Sequence, residues 1–475
     1  MRRAGVLKSI ISFLVMVLLM WGTTALAAEL HVPSNYSSIQ AAIDAAVPGD
    51  VVLVADGTYS GNILVQKAIT IKPENETSHP VIDCAGSGLG VTFKGEAANE
   101  AVLSGFKITG GNGSYGGAIA CYQASPIISD CLMENNIALL GGGLYVKNDS
   151  ASDPSPALIN CRIINNSANR GGGVYLISYA SPSFYNCLIV GNYASQFGGA
   201  FYCQKQCAPD IINCTVSNNT SDGFGSGIYC TSCLDPYYPI VINSIIWGNT
   251  ATSGTEFYLN NSVLGISFSA FDPGVENNNI QLLGSTSSVF EEGNIYEDPL
   301  FMDEVDYQLS PDSPCIDSGT DQIELPDFDL EGHPRVIGAA PDMGAYEFVP
   351  EEKDIQVEVD IKPGCWDKRI NLKSSGVLPV AVKTTRDFSA RSIDPKTVVF
   401  AGAAPIGYIR HDINRDRDKD MVFFFKIKKL DLDEDSTEAT LSGKTKEGKP
   451  FKGTAKLSIE KPKRKTIGSH FSNRR

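Results

Sequence analysis

The chain repeats itself with a period of about 27 residues, and that constrains its fold more than any other feature. Cys131, Cys161, Cys187 and Cys214 are spaced by 30, 26 and 27 residues, and Ser244 follows after another 30. Five positions before each stands a proline: Pro126, Pro156, Pro182, Pro209 and Pro239. One position before stands Asp130, Asn160, Asn186, Asn213 or Asn243, and five positions after stands Asn136, Asn166, Asn192, Asn219 or Asn249. Two positions after comes an apolar residue: Met133, Ile163, Ile189, Val216 or Ile246. Small-residue turns lie between, such as Gly141-Gly142-Gly143-Leu144-Tyr145 and Gly171-Gly172-Gly173-Val174-Tyr175. Each unit holds two or three apolar runs of strand length and no helical periodicity. A unit this small cannot bury its own apolar face, so neighbours must stack.

The architecture that satisfies these conditions is all-β: a parallel β-helix with one repeat per coil and strands of adjacent coils about 4.8 Å apart. Equivalent residues then lie above one another. The Cys and Ile/Val/Met columns are expected to point inward, and the Asn columns to sit at turns with their amides hydrogen-bonded along the axis. A leucine-rich-repeat horseshoe does not fit, because neither its leucine spacing nor a helix per repeat is visible. Ser38 to Ala46 reads as a short amphipathic helix before the first strands, placed to close the open end of the solenoid.

The segment from Ser38 through Val51–Val54 and Ile69–Ile71 resembles the opening of the pectin-lyase-like superfamily of right-handed parallel β-helices. Gly116-Gly117-Ala118-Ile119 and the Cys-x-apolar-x-x-Asn columns are similar to the repeats of polymorphic outer-membrane proteins. The resemblance covers residues 31–290 and implies the right hand of the solenoid. Residues 296–348 resemble a terminal segment of secreted bacterial β-helix proteins. It is expected to cover the last coil, with Asp317, Arg335 and Asp342 forming a structural charge cluster rather than a site.

The expected organisation is a signal peptide over 1–28, the β-helix with its terminal segment over 29–348, a linker over 349–356, a small β-sandwich over 357–460 and a basic tail over 461–475. Arg2, Arg3 and Lys8 precede an apolar run from Ile10 to Trp21, and Ala25-Leu26-Ala27-Ala28 supplies a small-residue cleavage site. The run is short for a membrane span. An exported or surface protein with no transmembrane span after cleavage is expected. With 39 Lys and Arg against 54 Asp and Glu, the net charge of −15 disfavours nucleic acid as a partner.

The sandwich segment looks like a module appended to secreted bacterial and archaeal proteins, on Asp360-Ile-Lys-Pro-Gly364, Ser375 to Val380 and Ile393 to Thr397. Asp412, Asn414, Asp416 and Asp420 match that family's Asp-x-Asn-x-Asp-x-x-x-Asp run, which implies calcium. Arg417 stands where a calcium loop usually has glycine, and no glutamate closes the loop. A solvated charged loop explains the same residues.

Catalysis finds little support. Between residues 101 and 260 there are only 13 charged residues, no two acids share a column, and all five histidines lie elsewhere. The polygalacturonase and pectinesterase motifs of the superfamily are missing. The expected function is therefore that of an exported cell-surface or extracellular protein in non-catalytic binding of a polysaccharide or cell-surface glycan, or of another surface, or in adhesion. The alternatives are a polysaccharide-degrading enzyme or a purely structural envelope component. Tyr145, Tyr175, Tyr202 and Tyr229, beside the glycine turns, are the candidate sugar-stacking residues; shielding the sheet is their other reading. Among twelve cysteines, the 131–214 column is expected to be reduced and buried. Cys203–Cys207 or Cys230–Cys233 are close in sequence, while Cys203 and Cys230 share a column with Cys121, so both pairings stay open.

Overall fold

The computed structural model describes residues 27–252, 254–272, 279–303, 305–350 and 353–460. The expected signal peptide, apart from its last two residues, and the basic tail lie outside them. The chain divides between Val349 and Pro350 into two compact units.

The first unit is a parallel β-solenoid. One coil runs Ile127–Ser129, Leu132–Glu134, Ile137–Leu140 and Leu144–Lys147 before Ala157–Ile159 begins the next. Repeating this path builds four parallel sheets. Sheet A has eleven strands, from Glu29–Val32 to Ser288–Glu292. Sheet B has nine, from Thr58–Ser60 to Ala270–Phe271, and sheet C nine, from Ile63–Val65 to Ile280–Leu283. Sheet D has six short strands, from Asn112–Tyr115 to Thr250–Ala251. The six coils that contribute to sheet D thus hold four strands, not the two or three expected. The fourth was hidden because its residues are mostly polar or small, as in Ser-Ala-Asn-Arg over 167–170.

The columns are in register. Leu144 pairs with Val174, Tyr145 with Tyr175 and Val146 with Leu176, and the same alignment continues through Phe201–Gln204 and Ile228–Thr231. Ile128, Cys131, Met133, Leu144 and Val146 are buried, as are their counterparts in the following coils, and together they form one continuous core. The corners follow from backbone geometry. Asp130, Asn160, Asn186, Asn213 and Asn243 turn the chain from sheet A to sheet B with φ between 49° and 53°. Asn and Asp tolerate this left-handed conformation better than other residues with a Cβ.

The second Asn column turns inward. The Nδ2 of Asn136 donates to Asn166 Oδ1, Asn166 to Asn192, Asn192 to Asn219 and Asn219 to Asn249, at 2.8–3.0 Å. Each backbone N–H donates to the same oxygen of the next coil, as Asn166 N does to Asn192 Oδ1 at 2.9 Å. These side chains are buried, so every polar atom needs its partner. The ladder ends on Glu256, whose Oε1 accepts from Asn249 Nδ2 at 2.6 Å. Burial pushes that carboxyl up to about 8.

The helix Ile39–Ala45 is capped by Ser38, whose Oγ accepts from Ala41 N at 3.1 Å. Ile39, Ala42 and Ile43 enter the core at its first coil, the capping role expected of them. The terminal segment behaves differently. It lies along the outer face of sheet B instead of over the last coil. Tyr307, Leu330, Ala345 and Tyr346 pack on Leu188 and Val190, while Leu309, Cys315 and Met343 pack on Ile245 and Ala270. Apolar residues at outward positions of those later strands need a cover, and the segment supplies it. Arg335 anchors it: Nε and Nη2 donate to Glu347 Oε1 at 2.8 and 2.5 Å, and Nη1 donates to Asn186 Oδ1 at 3.2 Å. Asp342 accepts from Asp317 N and Phe348 N, and Asp317 from Ala339 N, so this charge cluster is structural.

The second unit is a β-sandwich. Ile355–Gln356, Pro450–Lys456, Glu438–Lys444 and Val399–Phe400 form one sheet. Val359–Ile361, Val377–Val382, Asp420–Lys426 and Gly407–His411 form the other. Phe400, Phe423, Phe425 and Phe451 fill the core between them.

Two predictions follow from the ladder. Asn192→Ala strands the donors of Asn166 and is expected to lower stability by about 3 kcal/mol, read by thermal unfolding. Glu256 in the unfolded chain ionises near 4.5, while the folded chain keeps its proton up to about 8. Its contribution is complete below the lower value and is lost as pH rises to the upper one. The stability difference between wild type and Glu256→Gln should therefore shift in favour of the variant across that window and be flat above it.

Candidate functional site

The expected tyrosines are stacked but not exposed. Tyr145, Tyr175, Tyr202, Tyr229 and a fifth ring, Tyr258, form one file on the outer side of sheet C. Successive centroids are 4.8–5.6 Å apart and the planes lie within 9° of parallel. Each side chain is between 2% and 8% exposed. Leu140, Phe197 and Phe224, from sheet D and the turn that follows it, flank the rings on one side, and Tyr122 and Ile177 on the other. Arg170 lies 5.9 Å from the Tyr202 ring. This corrects the premise of an exposed platform: each inner ring spends both faces on its neighbours, so no face is left for a sugar. Burial also raises the hydroxyls of Tyr145, Tyr175 and Tyr229 well above the usual phenol range. The glycine turns allow this close packing. A Cβ on Gly198 (φ 73°) would stand 2.8 Å from Tyr202 Cβ.

The exposed surface lies one sheet over. Outward positions of sheet D carry Asn112, Ile137, Ser167, Tyr193, Thr220 and Thr250 in one in-register file. Tyr115 is 51% exposed, Ile137 53%, Leu139 54% and Tyr193 38%. The polar members are held in place laterally. Tyr193 OH donates to Asp222 Oδ2 at 2.6 Å, Arg170 Nε to Gln196 Oε1 at 2.8 Å, and Ser195 Oγ to Asn169 Oδ1 at 3.2 Å. The result is a flat strip of exposed apolar and aromatic groups set among fixed amides and hydroxyls. The alternation Ile137-x-Leu139 and Tyr193-x-Ser195, directly after the buried Asn column, was the sequence signal for it.

Carboxylates on the coils are dispersed among structural partners. Glu134 pairs with Lys107 at 2.6 Å, Asp130 accepts from Asn160, and Glu256 ends the Asn ladder. In the sandwich, Asp412, Asn414 and Asp416 share one exposed turn. Asp412 accepts from Arg415 N and Arg417 N at 2.6 and 3.0 Å, and Asn414 Nδ2 donates to Asp416 at 2.6 Å. Asp420 is buried at the head of its strand, with one oxygen accepting from Thr384 N and the other from Ile413 N. Among the described residues, no group of three or more His, Cys, Asp or Glu is placed to hold a metal ion.

With this geometry in view, residues 52–216 match the family model described as the right handed beta helix region. Residues 213–231 match the Chlamydia polymorphic membrane protein repeat. The solenoid is a right-handed parallel β-helix with repeats similar to those of that membrane-protein family. No curated protein matches the chain. Among the described residues, no helix is long and apolar enough to cross a membrane.

The buried tyrosine file makes a direct prediction. Tyr202→Ala is expected to lower stability by about 3–4 kcal/mol through the cavity it leaves. Tyr202→Phe, which keeps the stack, should change it by less than about 1 kcal/mol. Chemical denaturation of the two variants compares them.

Proposed function

We propose that the protein is an exported or cell-surface β-helix that binds a polysaccharide or surface glycan without cleaving it. The observation that carries this reading is the outer strip of sheet D. Its ordered hydroxyls and amides suit the hydroxyls of an extended sugar chain, and Tyr115, Tyr193, Ile137 and Leu139 supply apolar contact. Similarity of the repeats to those of a bacterial membrane-protein family supports a surface location. The dispersal of carboxylates among structural partners favours binding over hydrolysis, which needs a facing pair.

The accessory sandwich belongs to the same reading as a weak calcium module. Arg417 reaches the left-handed φ of 79° that a glycine would take more readily, and this keeps the Asp412–Asp416 turn wound. Millimolar calcium is expected to raise the unfolding temperature of the full chain, and Asp416→Ala to abolish the rise. An unchanged temperature in calcium would remove the metal from the account.

For the glycan reading, the test is binding of the mature chain to a panel of neutral and uronate polysaccharides. Leu139→Ser with Tyr193→Ala is expected to weaken binding at least tenfold with little change in unfolding temperature. Binding to no member of the panel, or binding indifferent to this pair, would contradict it. Release of new reducing ends or unsaturated sugars would place the protein among the degrading enzymes instead.

A further inference from the structure

Four cysteines stand as two pairs, one above the other, on consecutive coils. Cys203 and Cys230 are direct register partners in sheet C. Past the ends of those strands the coils stay aligned, because Lys205 N donates to Thr231 O and Gln206 N to Ser232 O. The earlier coil then spends one residue more on its turn, Lys205 and Gln206 both being left-handed where the next coil has Ser232 alone, and this brings the thiol of Cys207 beside that of Cys233. All four are buried, and all are thiols. Register neighbours in a parallel sheet are about 4.8 Å apart, inside the Cα separation of about 4.4–6.8 Å that a disulfide spans.

The cysteine column at the corner before sheet B differs. Cys131 faces Leu103 O, Cys161 faces Ile128 O and Ile159 O, Cys187 faces Leu158 O and Tyr185 O, and Cys214 faces Phe184 O and Ile212 O. Cys161, Cys187 and Cys214 each have two backbone carbonyls within reach, besides the thiols of their column neighbours. Cys207 and Cys233 each have one carbonyl, at 3.0 and 3.6 Å, whereas the polar neighbour of Cys203 is the thiol of Cys230.

We propose that Cys203–Cys230 and Cys207–Cys233 form two disulfides that staple one coil to the next, while the Cys131–Cys214 column stays reduced. Each bond forms by thiol–disulfide exchange with a disulfide donor, either a protein oxidant of the exporting compartment or glutathione disulfide. Two thiols lose two protons and two electrons, one S–S bond forms, and the donor's S–S bond is reduced to two thiols. Because the thiols are buried once the coils have stacked, exchange takes place during folding. The donor in the cell rests on the proposed export; the pairing rests on the geometry alone.

The test refolds the full chain in a glutathione redox buffer, blocks free thiols under denaturing conditions, and cleaves at Lys, Arg and before Asp. Cys203 then lies on 171–205 together with Cys187, so the digest is repeated on Cys187→Ser, where the same links must persist; Cys207 lies on 206–209, Cys214 on 210–221, and Cys230 and Cys233 on 222–234. The expected product joins 171–205, 206–209 and 222–234 through two bonds, with 210–221 carrying a blocked thiol. In Cys233→Ser, 206–209 should be released with a blocked thiol while 171–205 stays linked to 222–234. A link between 171–205 and 206–209 alone, or blocking of all twelve cysteines, overturns the proposal. Chain isolated directly from cells reports the export separately: reduced thiols there, with the two bonds formed on refolding, would refute the location and leave the pairing standing.

Discussion

Every coil of the solenoid takes its hydrogen bonds from the coil below and gives them to the coil above. That single constraint turns a one-dimensional repeat into vertical files of identical chemistry. It rewards residues that profit from standing on copies of themselves. Asparagine is one, since its amide carries both a donor and an acceptor, and Asn136 to Asn249 form an unbroken chain. Tyrosine is another, since rings in register neighbours stack at contact distance. A file must also end, and Glu256 closes the amide file with a neutral carboxyl.

Much of this was readable from residue types and spacing. The recurring Asn-Cys-x-apolar pattern located the corner between sheets A and B, because a left-handed residue followed by an inward one is required in every coil. The opening helix was equally legible, from its apolar spacing and Ser38 cap. Sheet D was not, because residues such as Thr220 and Ser221 carry no strand signature alone and are extended only because the neighbouring coil pairs with them. The tyrosines were seen to line up, but their burial depends on Phe197 and Phe224, which lie far along the chain from Tyr145. The path of residues 296–348 depends on which outward positions of sheet B are apolar, a property of three coils together. In the sandwich, the strand Gly407–His411 carries no sequence signal, because all five residues are exposed and show no alternation.

The same constraint shapes what the molecule can do. A surface made of files offers a partner a repeating row of groups at strand spacing, which suits an extended polymer better than a compact small molecule. Sheet C and the tyrosines beside it serve rigidity. The terminal segment covers part of sheet B, held by the buried Arg335–Glu347 pair. The outer strip of sheet D is left open to solvent, and its side chains are fixed to one another across coils. The stacked rings and the exposed strip thus lie on the two sides of one corner, the tight glycine turn that joins sheet D to sheet C.

The most direct test of the stacked-file account is excision of one whole coil. Removing 132–161, which joins Cys131 to Arg162, deletes one repeat and restores every column, whereas removing 132–146 deletes half a coil and misaligns them all. The account predicts that the first variant unfolds cooperatively with an unchanged β-type circular dichroism spectrum and that the second fails to fold. Equal behaviour of the two, whether both folded or both unfolded, would contradict it.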